Sequence, residues 1–178
     1  MTQYVRLVIV LLFLLKVPAG HAGSGFETYG DIGQVVIPVA AALISWGEDD
    51  IEGLKQFGYS FATTTALVQG MKFTIDAERP SGSGQSFPSG HTAAAFSGAS
   101  YLQIRYGWHY GLPAYIAAGA VGWSRENAEQ HYWRDIIAGA AIATGISYLF
   151  TTPLSRNVVV APVAMQGDAR GVGLHYRY

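Results

Sequence analysis

The sequence predicts an all-α protein, an antiparallel helical bundle with a short C-terminal β-hairpin, and three observations carry that expectation. Beyond residue 23 the charges gather between long stretches, 32–47, 56–71, 80–104, 106–124 and 136–155, that contain no Asp, Glu, Lys or Arg. Those stretches are rich in Ala, Gly, Ser and Thr, small residues that let helices pack closely in a bilayer or in water. After Pro153 the pattern changes to the two-residue alternation of strands, with Val172, Leu174, Tyr176 and Tyr178 following a Gly-rich turn.

At the N-terminus, Arg6 precedes the nine apolar residues Leu7 to Leu15, and Val17-Pro18-Ala19-Gly20-His21-Ala22 supplies small residues for cleavage. Residues 1–22 are therefore expected to be an export signal cut after Ala22, with an uncleaved anchor as the alternative. A bilayer needs roughly 20 apolar residues, and the run falls short of that. Residues 23–156 form one domain, since no stretch has the composition of a linker.

Within that domain each uncharged stretch is expected to be one pass of the bundle. The turns at Glu48-Asp49-Asp50-Ile51-Glu52 and Arg105 to Gly111 then lie at one end, where their acidic residues are expected to be solvated. Alternating passes bring the segments 72–79, 88–91 and 124–135 to the other end, expected to be the exported face. Such a bundle is also stable in water, so membrane insertion is the preferred expectation and a soluble bundle the alternative. Residues 157–178 are expected to be a hairpin tail turning at Gly167-Asp168-Ala169-Arg170-Gly171.

Composition narrows the chemistry. There is no cysteine, which excludes disulfides, thiolate catalysis and cysteine metal sites, and a net charge of −1 leaves no broad basic face for nucleic acid. The cations concentrate in three blocks: Lys72-x6-Arg79-Pro80, Pro88-Ser89-Gly90-His91 and Ser124-Arg125-x5-His131-x3-Asp135. Lys72, Arg79 and Arg125 can neutralise phosphate oxygens, the guanidinium groups by forked hydrogen bonds. Ser89 and Gly90 precede a helix-forming run, so they offer a helix N-terminus to an anion, or simply an ordinary N-cap.

His131 and Asp135 are four apart and would share a helix face, where the carboxylate fixes the imidazole tautomer. His131 is the candidate nucleophile, attacking phosphorus to give a phosphohistidine, and His91 the general acid. An isolated His-Asp pair of this kind is also a common surface contact. Asp76 and Glu78 are expected to be solvated, Trp123 and Trp133 to lie at a membrane interface, wall the site or pack in the core, and no metal or cofactor is expected.

In this order, the three blocks resemble the signature of the type 2 phosphatidic acid phosphatase (PAP2) superfamily, which also includes class A acid phosphatases and vanadium haloperoxidases. The resemblance covers residues 72–135 directly and, through the helical layout, roughly 33–152. It implies a PAP2/haloperoxidase-type bundle. It further implies Lys72, Arg79, Ser89, Gly90 and Arg125 as phosphate ligands, His91 as acid, His131 as nucleophile and Asp135 as its orienting partner. The chain departs from the better-known branches in being shorter than the usual soluble acid phosphatases and haloperoxidases, and its 33–46 segment is brief for the six-helix membrane enzymes unless the signal segment supplies the first helix. The distance from the second block to the third, with only two uncharged helices between, fits the compact lipid-phosphatase layout better. The function expected is metal-independent hydrolysis of lipid phosphomonoesters or pyrophosphates at the periplasmic face of the inner membrane. Phosphatidylglycerol phosphate, undecaprenyl pyrophosphate and lipid A are candidate substrates. A soluble periplasmic acid phosphatase, a lipid phosphotransferase, a vanadate-dependent haloperoxidase and a phosphate-binding protein are the alternatives.

Overall fold

A computed structural model describes residues 24–154, 157–164 and 170–177, with side chains for 25–154. The expected signal, residues 1–22, lies outside the described residues. Among the described residues there are five helices: α1 (Ser24–Gly47), α2 (Ile51–Thr74), α3 (Gly90–Tyr106), α4 (Trp108–Asn127) and α5 (Trp133–Phe150).

Each helix follows from a stripe of small or apolar residues. Along α1, Gly33, Ile37, Ala41 and Ile44 recur every three or four residues and are buried. Along α2, Gly53, Phe57, Ser60, Thr64 and Val68 do the same. Helix α3 runs through the centre and packs on α1, α2, α4 and α5, so almost every residue from Thr92 to Arg105 is buried. Its Ala, Ser and Gly side chains are what let four neighbours approach. Gly139 of α5 lies so near α3 that an added Cβ would be 2.5 Å from the Ser89 carbonyl oxygen.

Helix ends are set by local chemistry. Asp50 caps α2 by accepting the Gly53 N–H at 2.8 Å, and Ser89 caps α3. Gly107, at φ 88°, ends α3 and opens α4 within one residue, a conformation that favours glycine. At α5 the Asp135 carboxylate accepts the Tyr132 N–H at 3.0 Å.

The end of the bundle opposite the three blocks corrects one expectation. Asp50 is buried rather than solvated, because Arg105, 55 residues on, meets it with Nε at 2.7 Å and Nη2 at 2.6 Å. The Tyr106 hydroxyl donates to the same carboxylate at 2.9 Å, and Arg105 also holds the Thr152 carbonyl at 2.8 Å. The pair thus ties the α1–α2 turn to the chain leaving α5.

The tail corrects another. The fold rests on the helices, and the expected hairpin is not supported as part of it. The backbone of Asn157–Ala164 runs antiparallel to Arg170–Arg177, but residues 165–169 of the expected turn lie outside the described residues.

Candidate active site

Alternating passes bring all three blocks to one end of the bundle. Lys72 comes from the last turn of α2, Arg79 from the α2–α3 loop, Ser89, Gly90 and His91 from the start of α3. Arg125 comes from the last turn of α4, His131 from the α4–α5 loop and Asp135 from the first turn of α5.

The cations are held by hydrogen bonds rather than left in water. Arg125, 2% exposed, donates from Nη1 to Asp31 Oδ1 at 2.7 Å, from Nη2 to the Glu27 carbonyl and from Nε to Ser124 Oγ at 3.1 Å. Gly30 makes room for it, since a Cβ there would lie 2.5 Å from Arg125 Nη2. Arg79 Nη1 donates to Gln130 Oε1 at 2.5 Å, while its buried Nε has no hydrogen-bond partner among the described residues. Lys72 Nζ donates to the Gln85 carbonyl at 2.6 Å, and Gln85 presents that oxygen from a left-handed backbone at φ 61°.

The loop carrying Arg79 is pinned at both ends. Ser86 N donates to the Ala77 carbonyl at 2.8 Å, and Ser89 N donates to the Asp135 carbonyl at 2.9 Å. Ser89 itself is fully buried, with Oγ 2.9 Å from Thr92 Oγ1 and accepting the Thr92 N–H at 3.4 Å. Its hydroxyl therefore serves as an N-cap, which was the plainer of its two expected roles. Gly90 lies under Lys72, whose Cε would be 3.8 Å from an added Cβ.

His131 and Asp135 meet, though not as two positions on one helix. His131 precedes α5, and its Nδ1 lies 3.7 Å from Asp135 Oδ2, a charge contact longer than a hydrogen bond. That oxygen is instead engaged by Ser86 Oγ at 2.5 Å and by the Tyr132 N–H. Catalytic hydrogen bonds are commonly loose in a ligand-free site and tighten around substrate.

The electrostatics show how closely these groups lie. Burial first, then Lys72 and Arg79, lower His131 to about 4 against the pull of Asp135. Burial and then Arg125 lower His91, on the first turn of α3, while Asp31 opposes them. Burial and Arg79 lower Lys72. A neutral His131 among fixed cations is suited to attack on a bound anion, and a His91 whose proton is loosened by its neighbours is suited to proton exchange with one.

Asp31, on α1, is the site residue that sequence reasoning missed. Its Oδ1 accepts from both Arg125 and His91, the latter through Nε2 at 3.1 Å. No local pattern announces it, because those partners lie 94 and 60 residues away. Asp76 and Glu78 are exposed as expected, and Trp123 and Trp133 are 56% and 51% exposed, which removes core packing as their role.

Comparison with known proteins relates the chain to a family and to a solved fold. The PAP2 superfamily model matches residues 81–158, which include the second and third blocks. The chain is 28% identical over 188 aligned residues to a lipid A 4′-phosphatase of Helicobacter pylori, covering 95% of each protein. It is 35% identical over 133 residues to a lipid A 1-phosphatase of Porphyromonas gingivalis, a match spanning 68% of this chain and 29% of that protein. The crystal structure of Aquifex aeolicus LpxE superimposes with a TM-score of 0.64 at 24% identity, covering 79% of this chain and 92% of that one.

Proposed function

Because this chain belongs to the PAP2 superfamily and is a phosphatase of that type, we propose that it removes phosphate from a membrane lipid through a phosphohistidine on His131. The observation that carries the proposal is the convergence of Lys72, Arg79, Arg125, His91 and His131 at one end of the bundle.

In this mechanism Lys72, Arg79 and Arg125 take the non-bridging oxygens, with the Ser89-Gly90 helix start behind them. Neutral His131 attacks phosphorus in line, and the bond to the leaving oxygen breaks as His91 gives that oxygen a proton. Asp135 holds His131 and stabilises the positive charge that develops on it. Water then attacks the phosphohistidine, surrenders a proton to His91, and frees phosphate and His131. Three side-chain cations supply the charge neutralisation that a divalent ion supplies elsewhere, so the reaction is expected to proceed in chelator.

A lipid substrate is favoured by the outer surface. Ile32, Val35, Val39, Leu43 and Trp46 form an exposed apolar stripe on α1, and Trp108, Leu112, Ile116 and Trp123 form another on α4. Within the helices the charge-free stretches 32–47, 56–71, 108–124 and 136–150 give a band about 24 Å tall at about 1.5 Å per residue, against a bilayer core of about 30 Å. Helix Gly25–Gly47 is also long and apolar enough by itself to cross a membrane. We place the protein in the inner membrane with the site facing the periplasm. The relatives' names make a lipid A phosphomonoester the first substrate to try.

The test is phosphate release in detergent, with chelator, from lipid A, phosphatidylglycerol phosphate, undecaprenyl pyrophosphate and an aryl phosphate, by the wild type and His131→Ala. Lipid turnover by the wild type alone is expected. Preference for the aryl phosphate would replace the lipid reading with a broad acid phosphatase, and a labelled phosphoenzyme surviving in the variant would reject His131 as nucleophile.

A further inference from the structure

The proposed acid, His91, needs a proton in a site built from cations, and the three blocks contain nothing that helps it keep one. Arg125 on α4 and Arg79 in the α2–α3 loop both oppose that proton. Lys72 at the end of α2 and His131 before α5 add to the crowd, with Asp135 facing His131. On α1, Glu27 lies one turn before Asp31 and offers Arg125 its backbone carbonyl. Among the described residues Asp31 alone sets a carboxylate oxygen against His91, 3.1 Å from Nε2, and the same oxygen is 2.7 Å from Arg125 Nη1.

We propose that Asp31 is the positioning residue of the general acid: it accepts the Nε2 proton of His91, fixes the ring, and leaves Nδ1 to carry the proton that passes to the departing oxygen. The site then has two histidine-carboxylate pairs with opposite tasks. Asp135 attends an imidazole that attacks while neutral, and Asp31 attends one that works while protonated. Anchoring Asp31 on Arg125 ties the acid to a phosphate-holding cation, so the ring and the bound phosphate share one reference point. The loose 3.7 Å approach of Asp135 to His131 and the hydrogen-bonded 3.1 Å approach of Asp31 to His91 match that division: the nucleophile must lose its proton readily and the acid must keep one.

This inference rests on the phosphohistidine mechanism, and leaving-group dependence separates the two. A wild type inactive on every ester would defeat the mechanism before any variant is made. With an active wild type, Asp31→Asn and Asp31→Glu are compared on an alkyl phosphate, whose departing oxygen needs a proton, and on p-nitrophenyl phosphate, whose does not. The asparagine variant is expected to lose roughly 10–100-fold in kcat/KM on the alkyl ester and little on the aryl ester, less than the about 100–10,000-fold of a whole general-acid effect because His91 itself remains. Its alkaline limb is expected to move to lower pH, and the glutamate variant to recover part of the loss. Added to His91→Ala, the asparagine change is expected to cost nothing more on the alkyl ester.

Equal losses on both esters with an unmoved alkaline limb would overturn the proposal and leave Asp31 as a support for Arg125. Faster turnover with tighter inhibition by inorganic phosphate would also overturn it, making Asp31 an anion that competes for the cradle.

Discussion

His131 is buried beside Lys72 and Arg79, and both effects oppose its proton, holding its pKa down to about 4. The sign of the consequence is fixed: above that pH the imidazole is free to attack, and below it the proton blocks the lone pair. After correction for the substrate's own ionisation, kcat/KM is therefore expected to hold on the acid side until about pH 4 and then fall about tenfold per pH unit. An acid limb near the ordinary histidine value, about 6.5, would show that burial and the two cations do not hold His131 down. At this scale the three blocks were legible and their detailed geometry was not. The eight candidate residues come to one end of the bundle, yet His131 precedes its helix, because Tyr132 and Asp135 make the N-terminal cap and leave the histidine outside it. Asp31 was illegible, since its meaning depends on partners that only folding brings near.

Helices position the site through places where no side chain fits. Gly139 brings α5 against the start of α3, next to the Ser89 N–H that donates to the Asp135 carbonyl. Gly139→Ala sets a Cβ 2.5 Å from the Ser89 oxygen, backbone that cannot swing aside, so α3 and α5 must part. Overpacking of this kind costs about 1–3 kcal/mol. The variant is expected to lower the thermal midpoint in detergent and to reduce kcat more than it raises KM, since it parts the helices that bring Asp135 and Ser89 together. A variant with unchanged midpoint and turnover would show that the contact gives way freely. The uncharged stretches located all five helices, because charge segregation is readable residue by residue. The close approaches between those helices were not, because a glycine within a helix looks the same whether it faces a neighbour or open space.

For the molecule as a whole, the two ends of the bundle are both polar but do different things. One gathers the cations Lys72, Arg79 and Arg125 with two histidines. The other closes Asp50 on Arg105, a pair the sequence disguised because an acidic turn ordinarily faces water and the matching arginine lies 55 residues downstream. Removing one partner of a buried pair leaves a bare charge, at a cost of about 3–5 kcal/mol. Asp50→Ala is expected to unfold at distinctly lower temperature while the surviving folded fraction keeps its turnover, as the pair sits at the end away from the chemistry; a loss of turnover at full foldedness would contradict that separation. The Asp31 contacts have a consequence for how the protein comes into being. They join the first described helix to His91 and Arg125, 60 and 94 residues later, and the site also needs Asp135 from the last helix. If these groups act as proposed, a nascent chain has no working centre until Asp135 has left the ribosome and the first described helix has met α4 and α5. On the proposed assignment hydrolysis would report that the fold is complete, and a half-made copy would be chemically silent.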